Sequence, residues 1–220
     1  HVHAFSPPEI IEFINFFDTP GNTLAEKVRW VLRQLKEAGL MSLPGGGGEI
    51  FAHAVREKIG LGKCTAEAWL TVMHVAHELG MNTSATMMFG HIEGIADRIH
   101  HMELVRKWQE KAINDFGLDG GGRYYAFISW PFQPDNTPLG RVKEWDENEG
   151  KVFPGDAIAK LDGSGAKKDH KEFGRRIRLA GSSSYLKTQA LSRLYLDNIY
   201  SIGSSWVTMG PAIGQTALFY

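Results

Sequence analysis

Four consecutive glycines followed by a glutamate form the sharpest chemical signal in this sequence of 220 residues. The segment from Pro44 to Glu49 reads PGGGGE. Such glycines let the backbone approach a ligand closely and leave N–H groups free before a helix. Two interpretations of Glu49 stay open: in the first turn of the predicted helix its carboxylate would complement the helix dipole, or it would accept both hydroxyls of a ribose. The segment lacks the lysine of a P-loop and the spacing of a dinucleotide-binding motif, so it does not name its ligand.

A second polar cluster, reading TMMFGHIE, ends a predicted strand. Methionines there could pack on a nucleobase or fill the core, and the glycine permits a sharp turn. His91 and Glu93 are the candidate catalytic residues, because an imidazole and a carboxylate can both transfer protons; Glu93 could instead belong to the first turn of the next helix. The candidate cofactor-binding residues are Glu49, Thr86, Met87, Met88 and Gly90.

Imidazole, hydroxyl, aromatic and amide groups near other strand ends are candidates for substrate binding. His1 and His3 alternate with apolar residues and therefore share one face of a strand, whereas Ser6 falls on the other face unless the strand ends before it. Phe132 could stack on an aromatic ligand and Gln133 could hydrogen-bond to it. No third ligand lies at a fitting spacing from the histidine pair, so no metal site is predicted. The candidate substrate-binding residues are His3, Ser6, Phe132, Gln133 and Trp206.

These clusters recur along the chain at a regular interval. The first four begin about 41 residues apart, at His1, Ser42, Ser84 and Tyr125, and the fifth begins at Ser201. A strand, a turn and an amphipathic helix need about that length. Polar groups gathered at one end of successive parallel strands build a shared active-site mouth. The spacing therefore predicts an enzyme.

The elements that must position these groups follow from hydrophobic periodicity and capping residues. The pattern predicts an α/β fold with a parallel, barrel-like sheet that is incomplete at both ends, since the chain opens and stops inside predicted strands. All 220 residues would form a fragment of one such domain, with a surface insertion at 140–183. Strands are predicted at 1–3, 40–43, 82–88, 124–130 and 200–208, with another starting at 217–220. Helices are predicted at 8–17, 24–38, 50–59, 66–79, 95–113 and 184–196.

Composition narrows the classes of partner and compartment. A net charge of −1 gives no electrostatic case for nucleic acid or a membrane surface. Cys64 is the single cysteine, so the chain forms no intrachain disulfide, which favours a reducing cytoplasm. Among the other histidines, His74 and His77 are expected at the surface or in a hydrogen-bonded core, and His100 and His101 on a solvated helix face.

The motifs, in their order, resemble those of one enzyme family. HVHAFSPPEI, SLPGGGGEIF, TAEAWLTVMHVAHELGMNTSATMMFGHIE, AFISWPFQPDNTPL, YLKTQALSRLYLDNI and SSWVTMGPAIGQTALF are similar to segments of the radical S-adenosylmethionine enzymes of futalosine-pathway menaquinone biosynthesis and of deazaflavin cofactor biosynthesis. The resemblance covers nearly the whole chain except about 140–182.

That resemblance implies a (β/α) barrel and two cofactors, S-adenosylmethionine and a [4Fe–4S] cluster. It implies a nucleoside substrate and an electron donor such as flavodoxin or ferredoxin. Thr86 to Gly90 match the strand that packs on the adenine, Glu49 matches the segment near the ribose, and His3, Ser6, Gln133 and Trp206 match mouth-facing positions. The family's C-x3-C-x2-C cluster motif is absent here and is expected upstream of His1, because Cys64 matches none of its cysteines.

Within the family the motifs most resemble the cyclase branch, which converts dehypoxanthine futalosine to its cyclic spiro form. EIFAHAVREKI is also reminiscent of the sister aminofutalosine synthases, and a deazaflavin-cofactor synthase subunit is a further alternative. A different class, a truncated non-catalytic nucleoside-binding module, stays open. A three-cysteine motif upstream of His1 would favour the enzyme, and a start codon just before His1 would favour the module.

Overall fold

A parallel four-stranded sheet forms the centre of the molecule. The computed structural model describes residues 1–59, 63–137, 139 and 179–220. The sheet order is β1-β2-β3-β4, and every neighbouring pair is parallel. This arrangement confirms the predicted α/β class with a parallel sheet. The strands are β1 Ser42–Leu43, β2 Asn82–Phe89, β3 Tyr124–Pro131 and β4 Ser201–Gly203.

Helices connect and cover the strands, and two of them begin at threonine N-caps. The Thr23 hydroxyl accepts the Glu26 N–H at 3.2 Å, and the Thr65 hydroxyl accepts the Ala68 N–H at 3.1 Å. The helices are α1 Pro7–Phe16, α2 Leu24–Glu37, α3 His53–Ile59, α4 Ala66–Glu78, α5 Ile95–Phe116, α6 Ser182–Tyr195, α7 Trp206–Met209 and α8 Pro211–Thr216, followed by a 3₁₀ turn at Ala217–Phe219.

The C-terminal segment departs from the predicted strands. The strand expected over 200–208 is only Ser201–Gly203, because Ser205 begins a helical turn in which its hydroxyl lies 2.7 Å from the Thr208 hydroxyl. The strand expected at 217–220 is a 3₁₀ turn. Gly210 has a φ of +81° and precedes Pro211 at the first helical position, which favours a helix there. Short apolar runs of this kind fit strand and helix equally well, which explains both errors.

The core lies between the sheet and the helices that follow each strand. Trp69, Val72, Met73 and Ala76 of α4 are fully buried and form the face of the helix that packs into the core. The Trp69 ring stacks on Tyr124 of β3 with centroids 6.1 Å apart. Burying a large apolar side chain stabilises a fold by about 1.5–3 kcal/mol, so these contacts fix α4 against the sheet.

One of the two histidines predicted on a solvated helix face is in the core. His101 of α5 is completely buried and stacks on Phe51, with centroids 4.1 Å apart. The prediction was wrong for His101 because α5 turns this position toward the sheet, while its neighbour His100 is exposed. His77 is buried with its Nε2 2.8 Å from the Thr83 hydroxyl, as a hydrogen-bonded core histidine should be.

Two further sequence features, membrane-spanning helices and the predicted insertion, can be checked against the described residues. Within the described ranges, none of the helices combines the length and apolarity that crossing a membrane requires. The predicted insertion at 140–183 falls mostly outside the described residues. Its last two positions already belong to α6, which begins at Ser182.

Candidate functional site

A cavity of about 690 Å³ opens at the carboxyl end of the sheet. This volume lies within the range of about 300–1,000 Å³ that is usual for small-molecule sites. Met88 and Trp130 are register partners near the ends of β2 and β3, so both reach the same edge. The lining residues are Glu49, Lys58, Ile59, Lys63, Met88, Trp130, Pro131, Phe132, Gln133, Thr137, Leu139, Ser205 and Thr208.

The glycine loop, residues 45–50, borders this cavity, and all six of its carbonyls accept hydrogen bonds from described residues. The Trp69 indole N–H donates to the Gly46 carbonyl at 3.0 Å, and the Met88 N–H donates to the Glu49 carbonyl at 3.0 Å. The Gly45 carbonyl accepts from the Thr86 hydroxyl and from the Gly48 N–H. The loop therefore offers no free carbonyl to a ligand.

Arg56 of α3 holds the other three carbonyls. Its guanidinium donates to Gly47 at 2.9 Å, to Gly48 at 2.8 Å and to Ile50 at 3.4 Å. The same group donates from two of its nitrogens to the Cys64 carbonyl, at 3.0 and 2.6 Å. Arg56 is buried, and this burial lowers its pKa. Sequence reasoning missed this residue because a basic residue inside a predicted helix carries no signal of the loop it will contact.

Two glycines of the loop are required by close packing on β2. A Cβ on Gly45 would lie 2.5 Å from the Ser84 carbonyl oxygen, and one on Gly48 would lie 2.6 Å from the Thr86 carbonyl oxygen. Backbone oxygens cannot move away cheaply, so neither position accepts a side chain without displacing the loop. The glycine run thus brings the backbone against a neighbouring strand and thereby places Glu49.

Glu49 lines the cavity, and one of its carboxylate oxygens has no hydrogen-bond partner among the described residues. Its backbone has a φ of +42° and precedes α3, which begins at His53, so the first-turn interpretation was wrong. The carboxylate is buried: Oε1 pairs with the Lys63 ammonium, and Oε2 has no hydrogen-bond partner among the described residues. Leaving a buried charged oxygen without a donor costs about 1–3 kcal/mol or more, and a ligand donor would remove that cost.

Some of the predicted cofactor-binding residues line the cavity, and the others lie behind it. Met88 lines the cavity, whereas Met87 is in the core because successive side chains of a strand alternate. Thr86 is buried and supports the glycine loop through its hydroxyl. Gly90 has a φ of +85°, and a Cβ there would lie 2.8 Å from Ala180, so it packs near the start of α6. Only Glu49 and Met88 of this set reach the cavity.

His91 and Glu93 lie behind the cavity wall. Both side chains are fully buried, with His91 Nδ1 3.1 Å from Glu93 Oε2. Glu93 accepts the N–H groups of Gly90 at 2.7 Å and His91 at 2.9 Å, and the Arg98 guanidinium at 2.8 Å. Burial lowers the pKa of His91, which favours its neutral form. Glu93 precedes the N-cap Gly94 and is not in the first turn of α5. Whether either group transfers a proton stays a prediction.

The candidates near the N-terminus contact β1 and α1. The rings of His1 and His3 both reach the Ser42 hydroxyl, at 2.8 and 2.6 Å, as expected for residues on one strand face. Ser6 follows the single His3–Ser42 bridge and caps α1, with its N–H and hydroxyl each donating to Glu9 at 2.7 Å. Neither His3 nor Ser6 lines the cavity.

Two of the three remaining substrate candidates line the cavity. Phe132 and Gln133 belong to its wall, and the Phe132 ring also meets His91 edge-on with centroids 6.0 Å apart. Trp206 is 61% exposed and does not line it. Its neighbours Ser205 and Thr208 do, because the chain turns into α7 at this point.

The chain does not supply the ligands of an iron–sulfur cluster. Cys64 is its single cysteine, and burial raises the pKa of that thiol. Within the described ranges, no group of three histidine, cysteine or acidic side chains could hold a metal ion. A cubane cluster is held by several thiolates, so it does not fit the residues present. A nucleoside cofactor does fit, since the cavity combines an apolar wall with the Glu49 carboxylate, whose Oε2 has no hydrogen-bond partner among the described residues.

Comparison with known proteins identifies several with sequences similar to that of this chain. No protein-family model matches the chain. An aminodeoxyfutalosine synthase from Thermus thermophilus is 37% identical over 217 residues, covering 99% of this chain and 46% of the relative. A cyclic dehypoxanthine futalosine synthase from Halalkalibacterium halodurans is 34% identical over 219 residues, covering 100% of this chain and 45% of the relative.

A third relative is named as a transferase. A 5-amino-6-(D-ribitylamino)uracil–L-tyrosine 4-hydroxyphenyl transferase from Methanothermobacter thermautotrophicus is 32% identical over 219 residues, covering 99% of this chain and 47% of the relative. The chain spans about half the length of the curated relatives it matches. These alignments confirm the resemblance predicted from the motifs. Over its whole length, the chain is homologous to the futalosine-pathway enzymes aminodeoxyfutalosine synthase and cyclic dehypoxanthine futalosine synthase.

Proposed function

We propose that the protein to which this chain belongs is a radical S-adenosylmethionine enzyme of menaquinone biosynthesis, and that this chain forms its nucleoside-binding half. The observation that carries the proposal is the Glu49 carboxylate, which lines an apolar cavity and has one buried oxygen, Oε2, without a hydrogen-bond partner among the described residues. Homology to two futalosine-pathway enzymes supports it.

The whole domain would be a (β/α) barrel of which the described sheet is one part. Four parallel strands in sequential order support this, as does the bridge that adds His3 beside β1. Barrel enzymes bind ligands where the carboxyl ends of the strands meet, and the cavity lies at that edge. Residues 1–220 would belong to a single domain, and 140–183 would be an insertion on its surface.

The side chains of the cavity have separable tasks. Met88 and Phe132 would pack on the flat faces of the nucleosides, and the apolar wall would exclude water around them. Glu49 would accept hydroxyl or ammonium donors of S-adenosylmethionine; the Lys63 ammonium on its other oxygen shows that the carboxylate accommodates a cation. Gln133 would hydrogen-bond to the substrate.

Cofactors would supply the bond-breaking chemistry, and the protein would bind, orient and exclude water. A [4Fe–4S] cluster and S-adenosylmethionine would together supply radical chemistry. Its cysteine ligands would come from a C-x3-C-x2-C motif outside this chain. A flavodoxin or ferredoxin would deliver the electron, and this chemistry would place the protein in a reducing cytoplasm.

Two substrates are candidates. The motifs favour cyclisation of dehypoxanthine futalosine, and homology to cyclic dehypoxanthine futalosine synthase supports that assignment. Aminofutalosine synthesis is the second candidate, favoured by the 37% identity to an aminodeoxyfutalosine synthase. The two identities differ by three percentage points, from 37% to 34%, which is too little to choose between the reactions.

A product assay on the full-length protein separates these candidates. The anaerobically reconstituted protein is given dithionite, S-adenosylmethionine and either dehypoxanthine futalosine or the vinyl-ether substrate of the sister enzyme. We expect the cyclic nucleoside with the first substrate and no adduct with the second. The reverse outcome would assign the synthase reaction. If neither is turned over and nucleosides still bind, both futalosine-pathway assignments are wrong, and the deazaflavin-cofactor synthase and the non-catalytic binding module are the alternatives that remain.

A further inference from the structure

The Arg56 side chain contacts both of the segments that carry the Glu49–Lys63 ion pair of the cavity. Its guanidinium binds three carbonyls of the glycine loop, which carries Glu49. It also binds the carbonyl of Cys64, the residue next to Lys63. Glu49 and Lys63 form the ion pair that lines the cavity. Arg56 itself does not line the cavity and therefore acts behind it.

The glycine loop needs such a support because it has little of its own. Glycine loses more conformational freedom on folding than any other residue, and this loop contains four in sequence. Its one internal backbone hydrogen bond among the described residues runs from the Gly48 N–H to the Gly45 carbonyl at 3.2 Å. Among the described residues, the guanidinium is the one donor to three of the loop's six carbonyls.

A guanidinium is suited to this task in a way that an ammonium is not. Its donors project in a rigid plane, so one group can reach carbonyls on two segments at once. Lysine would keep the charge but place its three donors on a single nitrogen. Burial makes the difference larger, because each carbonyl that loses its donor would have no water to replace it.

We propose that Arg56 is a positioning residue for ligand binding: it fixes the glycine loop and the Cys64 segment so that the Glu49 carboxylate faces the cavity. This inference deepens the proposed function and rests on S-adenosylmethionine as the ligand that Glu49 binds. The positioning itself concerns residues of this chain, so it can be measured without any ligand.

The test uses the full-length protein with Arg56→Gln and Arg56→Lys. Arg29→Gln is the matched control, because Arg29 is also bound bidentately, to Glu78, but between α2 and α4 and away from the cavity. Amide hydrogen exchange of the glycine loop is followed without ligand. We expect loop amides to exchange about tenfold faster or more in Arg56→Gln, less so in Arg56→Lys, and at the wild-type rate in Arg29→Gln.

Calorimetric titration with S-adenosylmethionine, well below each melting temperature, gives the second readout. Arg56→Gln should weaken binding about tenfold or more. Because Arg56 acts through Glu49, adding Arg56→Gln to Glu49→Gln should weaken binding by less than about threefold further. If Arg56 had only a structural role, both Arg56 variants would melt at a lower temperature. At the temperature of the titration, however, their loop exchange and their affinity would match those of the wild type.

The two readouts separate the inference from the function on which it rests. Unchanged loop exchange in Arg56→Gln overturns the positioning role, whatever the protein binds. Faster loop exchange with full additivity of Arg56→Gln and Glu49→Gln also overturns it, because the arginine would then not act through the carboxylate. A wild-type protein that shows the loop effect but binds no S-adenosylmethionine overturns the proposed function and retains Arg56 as the support of the loop.

Discussion

At the scale of the residue, the two oxygens of Glu49 have different surroundings. Oε1 is paired with Lys63, while Oε2 is buried and has no hydrogen-bond donor among the described residues. A carboxylate oxygen in this state is a strong acceptor for any donor that a ligand brings, since a charge-assisted hydrogen bond is about twice as strong as a neutral one. Substitution of Glu49 should therefore lower the affinity for the ligand more than it lowers the stability of the fold.

Glu49→Gln keeps the shape of the side chain and removes its charge. In the full-length protein, a lost charge-assisted hydrogen bond of about 1.5–3 kcal/mol should weaken S-adenosylmethionine binding about tenfold to a hundredfold. Calorimetric titration measures the affinity, and a melting curve on the same sample checks the fold. Glu78→Gln, which removes a carboxylate paired with Arg29 away from the cavity, is the control. Unchanged affinity together with a lower melting temperature would make Glu49 a structural residue.

A second residue-scale prediction concerns pH. Burial lowers the pKa of His101 from 6.5 to about 3, and neither ring nitrogen has a hydrogen-bond partner among the described residues. Below pH 6.5, His101 is protonated in the unfolded chain but stays neutral in the folded chain. The stability of the fold therefore falls as the pH drops from 6.5 toward 3. Each such histidine contributes a loss of about 1.4 kcal/mol per pH unit in that window.

His101→Phe should reduce this pH dependence. Urea unfolding of the full-length protein at pH values about one unit above and one unit below 6.5 should show a stability difference smaller by about 1.4 kcal/mol than that of the wild type. The exposed neighbour supplies the control, since His100→Asn should leave the difference unchanged. An identical pH dependence in His101→Phe and the wild type would show that His101 titrates normally in the fold.

The sequence was sufficient to predict those site residues that lie at or just after the end of a strand. Glu49, Met88, Phe132 and Gln133 were all predicted there, and all line the cavity. Arg56 could not be found this way, because its role depends on a loop and a segment that only the folded chain brings together. His91 and Glu93 have the right chemistry but are turned into the interior.

At the scale of the element, the repeated strand-end clusters predicted the sheet and its edge. Strands β2 and β3 run where periodicity placed them, and the cavity lies at their carboxyl ends. The pattern failed after β4, where a strand was expected and α7 forms. That error also displaced Trp206, since a helical turn directs Ser205 and Thr208 to the cavity instead.

The contact between the glycine loop and β2 can be tested with one methyl group. Gly48→Ala would place a Cβ 2.6 Å from the Thr86 carbonyl oxygen, so the loop must move and carry Glu49 with it. We expect the affinity of the full-length protein for S-adenosylmethionine to fall about tenfold or more. Gly181→Ala is the control, because a Cβ there meets no atom within 4 Å. Equal affinities for both variants would show that the loop tolerates displacement.

At the scale of the whole molecule, this chain carries the proposed nucleoside site and lacks the cysteines that a cluster needs. One cysteine in 220 residues cannot coordinate a cubane cluster. We therefore expect the isolated 220-residue chain to retain less than about one iron per molecule after anaerobic reconstitution, measured by iron and sulfide analysis. A stoichiometric cluster in this chain would contradict our assignment of the cysteine motif to a region outside it.

The most direct measurement is a crystal structure of the full-length protein with S-adenosylmethionine bound. We expect the adenosine against Met88 in the cavity at the carboxyl end of the sheet, with a hydroxyl or ammonium donor of the ligand about 2.7–2.9 Å from Glu49 Oε2. The glycine loop should keep its hydrogen bonds to Arg56. A ligand bound elsewhere, with Glu49 Oε2 still without a donor, would contradict the assignment of this cavity as the nucleoside site.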